Sequence, residues 1–169
     1  MQAILREENG CVYRRAAHGD LIPVMEINLK TLPEHYSDYF YESLMAELPE
    51  AFLVALVGDV HAGYIMCKTE YGFSSFRRLG FVKKGHLVSV AVLPEHRKRG
   101  IGKVLVDEAV KGTRTRKCVE MYLEVRCSNN GAIRLYENLG FVIKQQLKSY
   151  YRDGEDAFMM AIELEDAKK

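Results

Sequence analysis

The run Arg97-Lys98-Arg99-Gly100-Ile101-Gly102-Lys103 joins an apolar segment, Leu87-Val88-Ser89-Val90-Ala91-Val92, to an amphipathic stretch that starts at Val104. A strand that turns through two glycines onto a helix start presents backbone N–H groups without carbonyl partners. The helix dipole adds about half a positive charge at that point. Arg97, Lys98 and Arg99 stand beside it, so the turn suits a pyrophosphate. Spacing excludes two common phosphate loops. A Walker loop needs Gly at 97 and Ser or Thr at 104, where Arg97 and Val104 stand, and a dinucleotide fingerprint needs Gly at 105, where Leu105 stands.

Other residues could do chemistry, and each has a plainer reading. Glu34 follows Pro33 in a turn, where a carboxylate is commonly only solvated. His86 begins the segment ahead of Leu87, where a lone histidine is commonly packed. If the strand holding Glu124 runs parallel to that of His86, the carboxylate faces the imidazole; otherwise it pairs with Arg126. Such a His–carboxylate pair would hold a metal only incidentally, because two ligands make no complete site. Asn129 could cap a helix. Tyr136 could pack on Ile133 and Ala132. Tyr150 and Tyr151 are adjacent, so on a strand one of them at most faces a given slot.

The pattern R-x-x-G-x-G resembles the coenzyme A motif of the GNAT acetyltransferase superfamily. Asn129-Asn130-Gly131-Ala132-Ile133-Arg134-Leu135-Tyr136-Glu137-Asn138-Leu139-Gly140-Phe141 resembles its second signature, about thirty residues further on. Leu32-Pro33-Glu34-His35-Tyr36, Lys84-Gly85-His86-Leu87-Val88-Ser89, Tyr122-Leu123-Glu124-Val125-Arg126 and Tyr150-Tyr151-Arg152-Asp153-Gly154-Glu155 resemble the catalytic subunit of NatA-type protein N-terminal acetyltransferases, archaeal members in particular. The resemblance spans Val12 to Ile162.

It implies acetyl transfer from acetyl-CoA to a free α-amino group by direct attack in a ternary complex, with no metal required. Catalysis falls to Glu34 or His86 as base and to Tyr136 as the proton source for the leaving thiolate. Coenzyme A contacts fall to the backbone of Val90, Ala91 and Val92, to Arg97, Lys98, Arg99, Gly100, Ile101, Gly102 and Lys103, and to Asn129 and Tyr136. Leu32, Pro33, Tyr36, Glu124, Tyr150 and Tyr151 would bind the peptide. The implied substrates are protein N-termini of the Ser, Ala, Gly or Thr type, with Met as a further option and nascent chains among them. The absence of a long acidic tail implies activity without an auxiliary subunit.

The elements must hold these residues in place. At 169 residues, with 48% hydrophobic and 28% charged residues, the chain reads as one soluble domain over residues 1–169. A net charge of +1 gives no general pull toward nucleic acid or membrane. Cys11, Cys67, Cys118 and Cys127 form no metal or redox spacing and read as reduced thiols of a cytoplasmic protein. No signal peptide or membrane span is legible.

The pattern predicts an α/β fold with about seven strands in a mixed sheet and about four helices on both faces. The strands expected are 11–16, 51–57, 60–68, 86–93, 119–126, 141–149 and 157–162. Helices are expected from a cap at Asp20 with an apolar face of Met25, Leu29 and Leu32, then at 37–48, from Val104 to Val110, and at 130–139. Residues 70–84 read as a long basic loop, and Glu163 to Lys169 as a frayed tail. Two other readings stay open: a lysine or small-amine acetyltransferase of the same superfamily, or a non-catalytic coenzyme A-binding or weak nucleic-acid-binding module.

Overall fold

The computed structural model describes residues 2–164. Among them a sheet of eight strands runs in the order β1-β2-β3-β4-β5-β6-β8-β7, from β1 (Ile4–Glu8), β2 (Cys11–Arg15), β3 (Leu53–Val57), β4 (Val60–Phe73), β5 (Phe81–Val92), β6 (Glu120–Arg126), β7 (Val142–Leu147) and β8 (Ala157–Glu163). The count exceeds the seven expected because β1 forms the edge, paired antiparallel to β2 across the Asn9–Gly10 turn. Among the described residues only β5 and β6 pair in parallel, as a βαβ crossover through α3 (Ile101–Arg114) requires. The other helices are α1 (Leu21–Thr31), α2 (Asp38–Glu47) and α4 (Asn130–Asn138).

Alternation along the strands feeds two cores. Ile65 of β4 joins Val104, Leu105 and Ala109 of α3 and Ile133 and Tyr136 of α4 on one face. Tyr64 and Met66 join Leu21, Val24 and Ile27 of α1 and Tyr41 and Leu44 of α2 on the other. Helix α1 turns a different face inward than expected. Leu29 is 63% exposed, while Asn28 is buried and donates to the Tyr64 hydroxyl and the Glu34 carbonyl, both at 3.0 Å.

Asp20 does not cap α1 through its side chain. Its carboxylate accepts from the Ala17 amide (2.7 Å), both Nη groups of Arg14 (2.7 and 2.9 Å) and Nε2 of His61 (2.7 Å), tying β2, β4 and the helix entrance together.

The expected loop over 70–84 is mostly strand. Tyr71 pairs with Lys83 and Phe73 with Phe81, leaving residues 74–80 as the connection. The buried Glu120 carboxylate holds that connection by accepting from Ser74 Oγ and the Ser75 amide, both at 2.7 Å. The basic, Gly-containing composition had masked the β-forming Tyr71, Phe73, Phe81 and Val82. At the other end, Glu163 closes β8 and Leu164 is buried, its amide donating to Val119 at 2.8 Å. The rest of the expected tail, 165–169, lies outside the described residues.

One irregularity governs the site. The β5–β6 ladder has three rungs, Lys84–Glu120, Gly85–Met121 and His86–Tyr122, and then stops. Just beyond, β5 carries one extra residue against β4, between the Cys67–Leu87 and Met66–Ser89 pairs. A bulge bends its strand, and here the strands part beyond His86.

Candidate active site

The parting leaves backbone groups of β5 without a strand partner on one side. The Leu93 amide donates to Ala62 at 2.8 Å, so Leu93 faces β4. Alternation then turns the amides of Val92 and Val90 toward the gap and that of Ala91 toward β4. Val90 and Val92 therefore offer the donors expected of this strand. Ala91 does not; its amide belongs to the β4 ladder and its side chain to the α1–α2 core.

β5 leads through a short 3-10 turn, Pro94–His96, into the glycine turn. Arg97 folds back, its Nε donating to the Val92 carbonyl at 3.0 Å. Lys98 (φ 61°) and Gly100 (φ 80°) adopt left-handed backbone, reversing the chain onto α3. The first helical bond runs from the Val104 amide to the Gly100 carbonyl (3.1 Å), so the amides of Ile101, Gly102 and Lys103 stand ahead of it. Gly102 lets α4 approach, since a Cβ there would lie 3.3 Å from Leu135 Cδ1. Arg99 and Lys103 line an adjoining cavity of about 370 Å³ with Arg6, Asn9 and Leu139. Arg99 also donates to the Asn9 carbonyl at 3.3 Å.

Two expected coenzyme contacts come from α4. The Asn129 side-chain oxygen accepts from the Ala132 amide at 3.2 Å, so this residue caps the helix. Tyr136 is buried beside Phe141, ring centroids 5.9 Å apart. Burial, with the nearby Cys67 thiol, pushes its hydroxyl well above the ordinary range and keeps it protonated.

β6 leads to the other side of the site. A cavity of about 690 Å³ is walled by Pro33, Glu34 and His35 from the α1–α2 loop and by Arg126, Tyr150 and Tyr151. Both tyrosines line it, against the strand-alternation expectation. β7 ends at Leu147, and Ser149 (φ 48°) turns the chain, so the pair sits on a turn with rings edge-to-face, 5.0 Å apart. Tyr36 stacks on Phe40 at 5.0 Å, and burial, then neighbouring Tyr64 and Glu34, push its hydroxyl up to about 12. Leu32 packs beside it on the α1–α2 core.

His86 and Glu124 face each other across the gap, Nε2 to Oε2, at 2.7 Å. An ionised Glu124 places the imidazole hydrogen on Nε2 and the lone pair on Nδ1, which is buried without a hydrogen-bond partner. Arg126 does not pair with Glu124. It binds Glu34 (2.9 Å), Asp153 (2.8 Å) and Glu155 (3.0 Å) instead. Sequence reasoning passed over Arg126, Asn28 and Tyr122 as site residues. The acidic Asp153-Gly154-Glu155 turn was the one available sign that a cation must face it. No group of three His, Cys, Asp or Glu side chains among the described residues is placed to hold a metal ion.

A mixed sheet parted between two parallel strands, with a glycine turn opening a helix at the parting, is the architecture of an N-acyltransferase. The chain belongs to the acetyltransferase (GNAT) family, whose model matches residues 21–141. It is 45% identical over 150 residues to an N-alpha-acetyltransferase of Saccharolobus solfataricus, covering 88% of this chain and 90% of that protein. The corresponding protein of Sulfurisphaera tokodaii is 44% identical, covering 89% of this chain and 92% of that one. Among solved structures the fold is similar to Ard1 from Thermoplasma volcanium, with TM-score 0.78, 28% identity and coverage of 93% of this chain and 99% of that one. It is also similar to a chain of the NatC complex bound to Gag peptide and CoA, with TM-score 0.82, 26% identity and coverage of 92% and 99%.

Proposed function

We propose that this protein acetylates the free α-amino group of polypeptide N-termini, with acetyl-CoA as donor. The observation that supports it most is the parting itself. β5 runs into the glycine turn, β6 ends at Arg126 on the wall of the larger cavity, and the His86–Glu124 pair spans the gap between them. The glycine turn fits a coenzyme A diphosphate: amides 101–103 precede the first helical bond, and Arg99 and Lys103 stand alongside.

Acetyl-CoA, when bound, supplies an activated thioester carbonyl. An α-amino group, with pKa about 7.7–8.0, needs little help to become neutral. His86 takes that proton at Nδ1 while Glu124 steadies the resulting imidazolium through Nε2. Such a base contributes about 10²–10⁴-fold. Glu34, engaged by Arg126, fixes the loop that receives the amine and is the lesser base. The Val90 and Val92 amides donate to the carbonyl oxygen as charge builds on it. One well-placed donor of this kind lowers a barrier by about 3 kcal/mol. Tyr136, protonated, passes its proton to the leaving thiolate, and the proton that the attacking nitrogen sheds on collapse to the amide restores the phenol. The tyrosine-walled slot suits a chain end over an internal lysine. In this reading Ser, Ala, Gly, Thr and Met N-termini are acetylated by the chain alone, in the cytoplasm. No helix among the described residues is long and apolar enough to cross a membrane.

The test uses purified protein, acetyl-CoA and a peptide panel. Peptides with a free α-amine turn over, and those blocked there but carrying a free lysine do not. Turnover of the blocked set at a comparable rate makes this a lysine acetyltransferase. No turnover of either set overturns the proposal.

A further inference from the structure

We infer that Tyr122 is a positioning residue that sets the plane of the His86 imidazole. The inference rests on His86 carrying the proton in the reading above. The two residues form the last rung of the β5–β6 ladder, so the pair sits where the strands begin to part. Their rings stack with centroids 4.3 Å apart and planes 3° from parallel.

A histidine on a strand has two soft torsions. Glu124 holds one edge of this ring at 2.7 Å, which fixes a point but leaves the ring free to tilt about it. The stacked phenol removes the tilt, and with it the freedom of Nδ1 to swing. Beyond this rung no β6 backbone restrains β5.

Tyr122 is itself anchored from two directions. Its hydroxyl donates to Glu70 of β4, and the Lys84 ammonium lies over its ring, 4.7 Å from the centroid. Lys84 is fixed in turn, donating to the Phe73 carbonyl at 2.9 Å, with Glu120 at 3.6 Å. One file of side chains on a single sheet face thus runs from the loop end of the β4–β5 hairpin to the histidine. The ring sets the imidazole plane, and the hydroxyl secures the ring. Displacement of a reacting group by about 1 Å can cost about a hundredfold in rate.

Tyr122→Leu, Tyr122→Phe and His86→Ala test this in the full chain. Tyr122→Leu is expected to lower kcat at least tenfold with peptide and acetyl-CoA KM within about twofold, and Tyr122→Phe to recover most of the loss. A second readout is independent of turnover. The rate at which diethyl pyrocarbonate modifies His86, followed by peptide mass spectrometry, rises severalfold in Tyr122→Leu and stays near wild type in Tyr122→Phe. If Tyr122→Phe loses as much kcat as Tyr122→Leu, the hydroxyl acts in its own right and positioning by the ring is overturned. It is equally overturned if His86→Ala is inactive while Tyr122→Leu matches wild type in rate and in His86 modification. If His86→Ala keeps full kcat, the assignment of the base fails instead, and the modification contrast alone decides whether the ring is held.

Discussion

Arg126 at the end of β6 holds Glu34 of the α1–α2 loop at 2.9 Å, across the mouth of the larger cavity. The same guanidinium binds Asp153 and Glu155 of the β7–β8 turn and lies 4.0 Å from the centre of the Tyr151 ring. One cation therefore fastens together two loops that arrive from opposite ends of the sheet.

Removing that fastening should loosen peptide binding rather than chemistry. Arg126→Ala is expected to raise peptide KM about tenfold, on the order of 1.4 kcal/mol, with acetyl-CoA KM within twofold. Arg126→Lys recovers only part of it, because a point charge cannot serve three carboxylates in the geometry of a planar fork. Steady-state kinetics with both substrates varied checks this. An unchanged peptide KM in Arg126→Ala shows that the loops hold without it.

The glycine turn should be sensitive to backbone strain, not to crowding. A Cβ at Gly100 meets nothing within 4 Å, but φ there is 80°. A branched side chain in left-handed backbone costs about 1–2 kcal/mol. Gly100→Val should weaken acetyl-CoA binding about tenfold by titration calorimetry. Gly102→Ala, whose Cβ would lie 3.3 Å from the flexible tip of Leu135, should weaken it less. Equal losses in the two variants overturn the distinction.

Asp20 links stability to pH. Burial by itself raises its pKa, but hydrogen bonds from Arg14, the Ala17 amide and His61 prevail and hold the carboxyl well below the usual carboxylate range. A folded pKa below the unfolded one means stability present above about pH 4, the unfolded value, and lost as pH falls toward the folded one. Breaking a buried pair costs about 3–5 kcal/mol. Arg14 and His61 each keep 20% of their side-chain area exposed, so Asp20→Asn should fall at or below the low end of that range at pH 7. The gap between variant and wild type, from denaturant unfolding, narrows as pH falls below about 4. A gap that widens on acidification reverses the assignment.

Gly112 sits where α3 touches the 3-10 turn Pro49–Ala51. A Cβ there would lie 2.0 Å from the Glu50 carbonyl oxygen. Helix propensity favours Ala over Gly by about 1 kcal/mol, but backbone overlap of that size forces α3 off the sheet and costs about 1–3 kcal/mol or more. The clash prevails, so Gly112→Ala should destabilise in denaturant titration. A stabilised variant shows that the helix shifts freely.

The local grammar of the chain was legible before any coordinates. Gly100 and Gly102, set between an apolar segment and an amphipathic run, predict a turn onto a helix, so the turn from Arg97 to Lys103 followed from residue types in order. The strand–helix–strand spacing predicted a mixed sheet, and the parallel pairing of β5 with β6 then chose His86 over Arg126 as the partner of Glu124. Tertiary packing decided what spacing cannot encode. The partner of Arg126 depended on three carboxylates from segments 27 or more residues away, and charge attraction is blind to sequence distance. Residues 70–73 and 81–84 became strand, and Glu120 of β6 holds the turn between them. Ala91 lost its place among the donors because amide direction depends on which strand lies alongside. Tyr150 and Tyr151 share the slot because the chain had left the sheet before reaching them, and only a strand obliges neighbours to face apart.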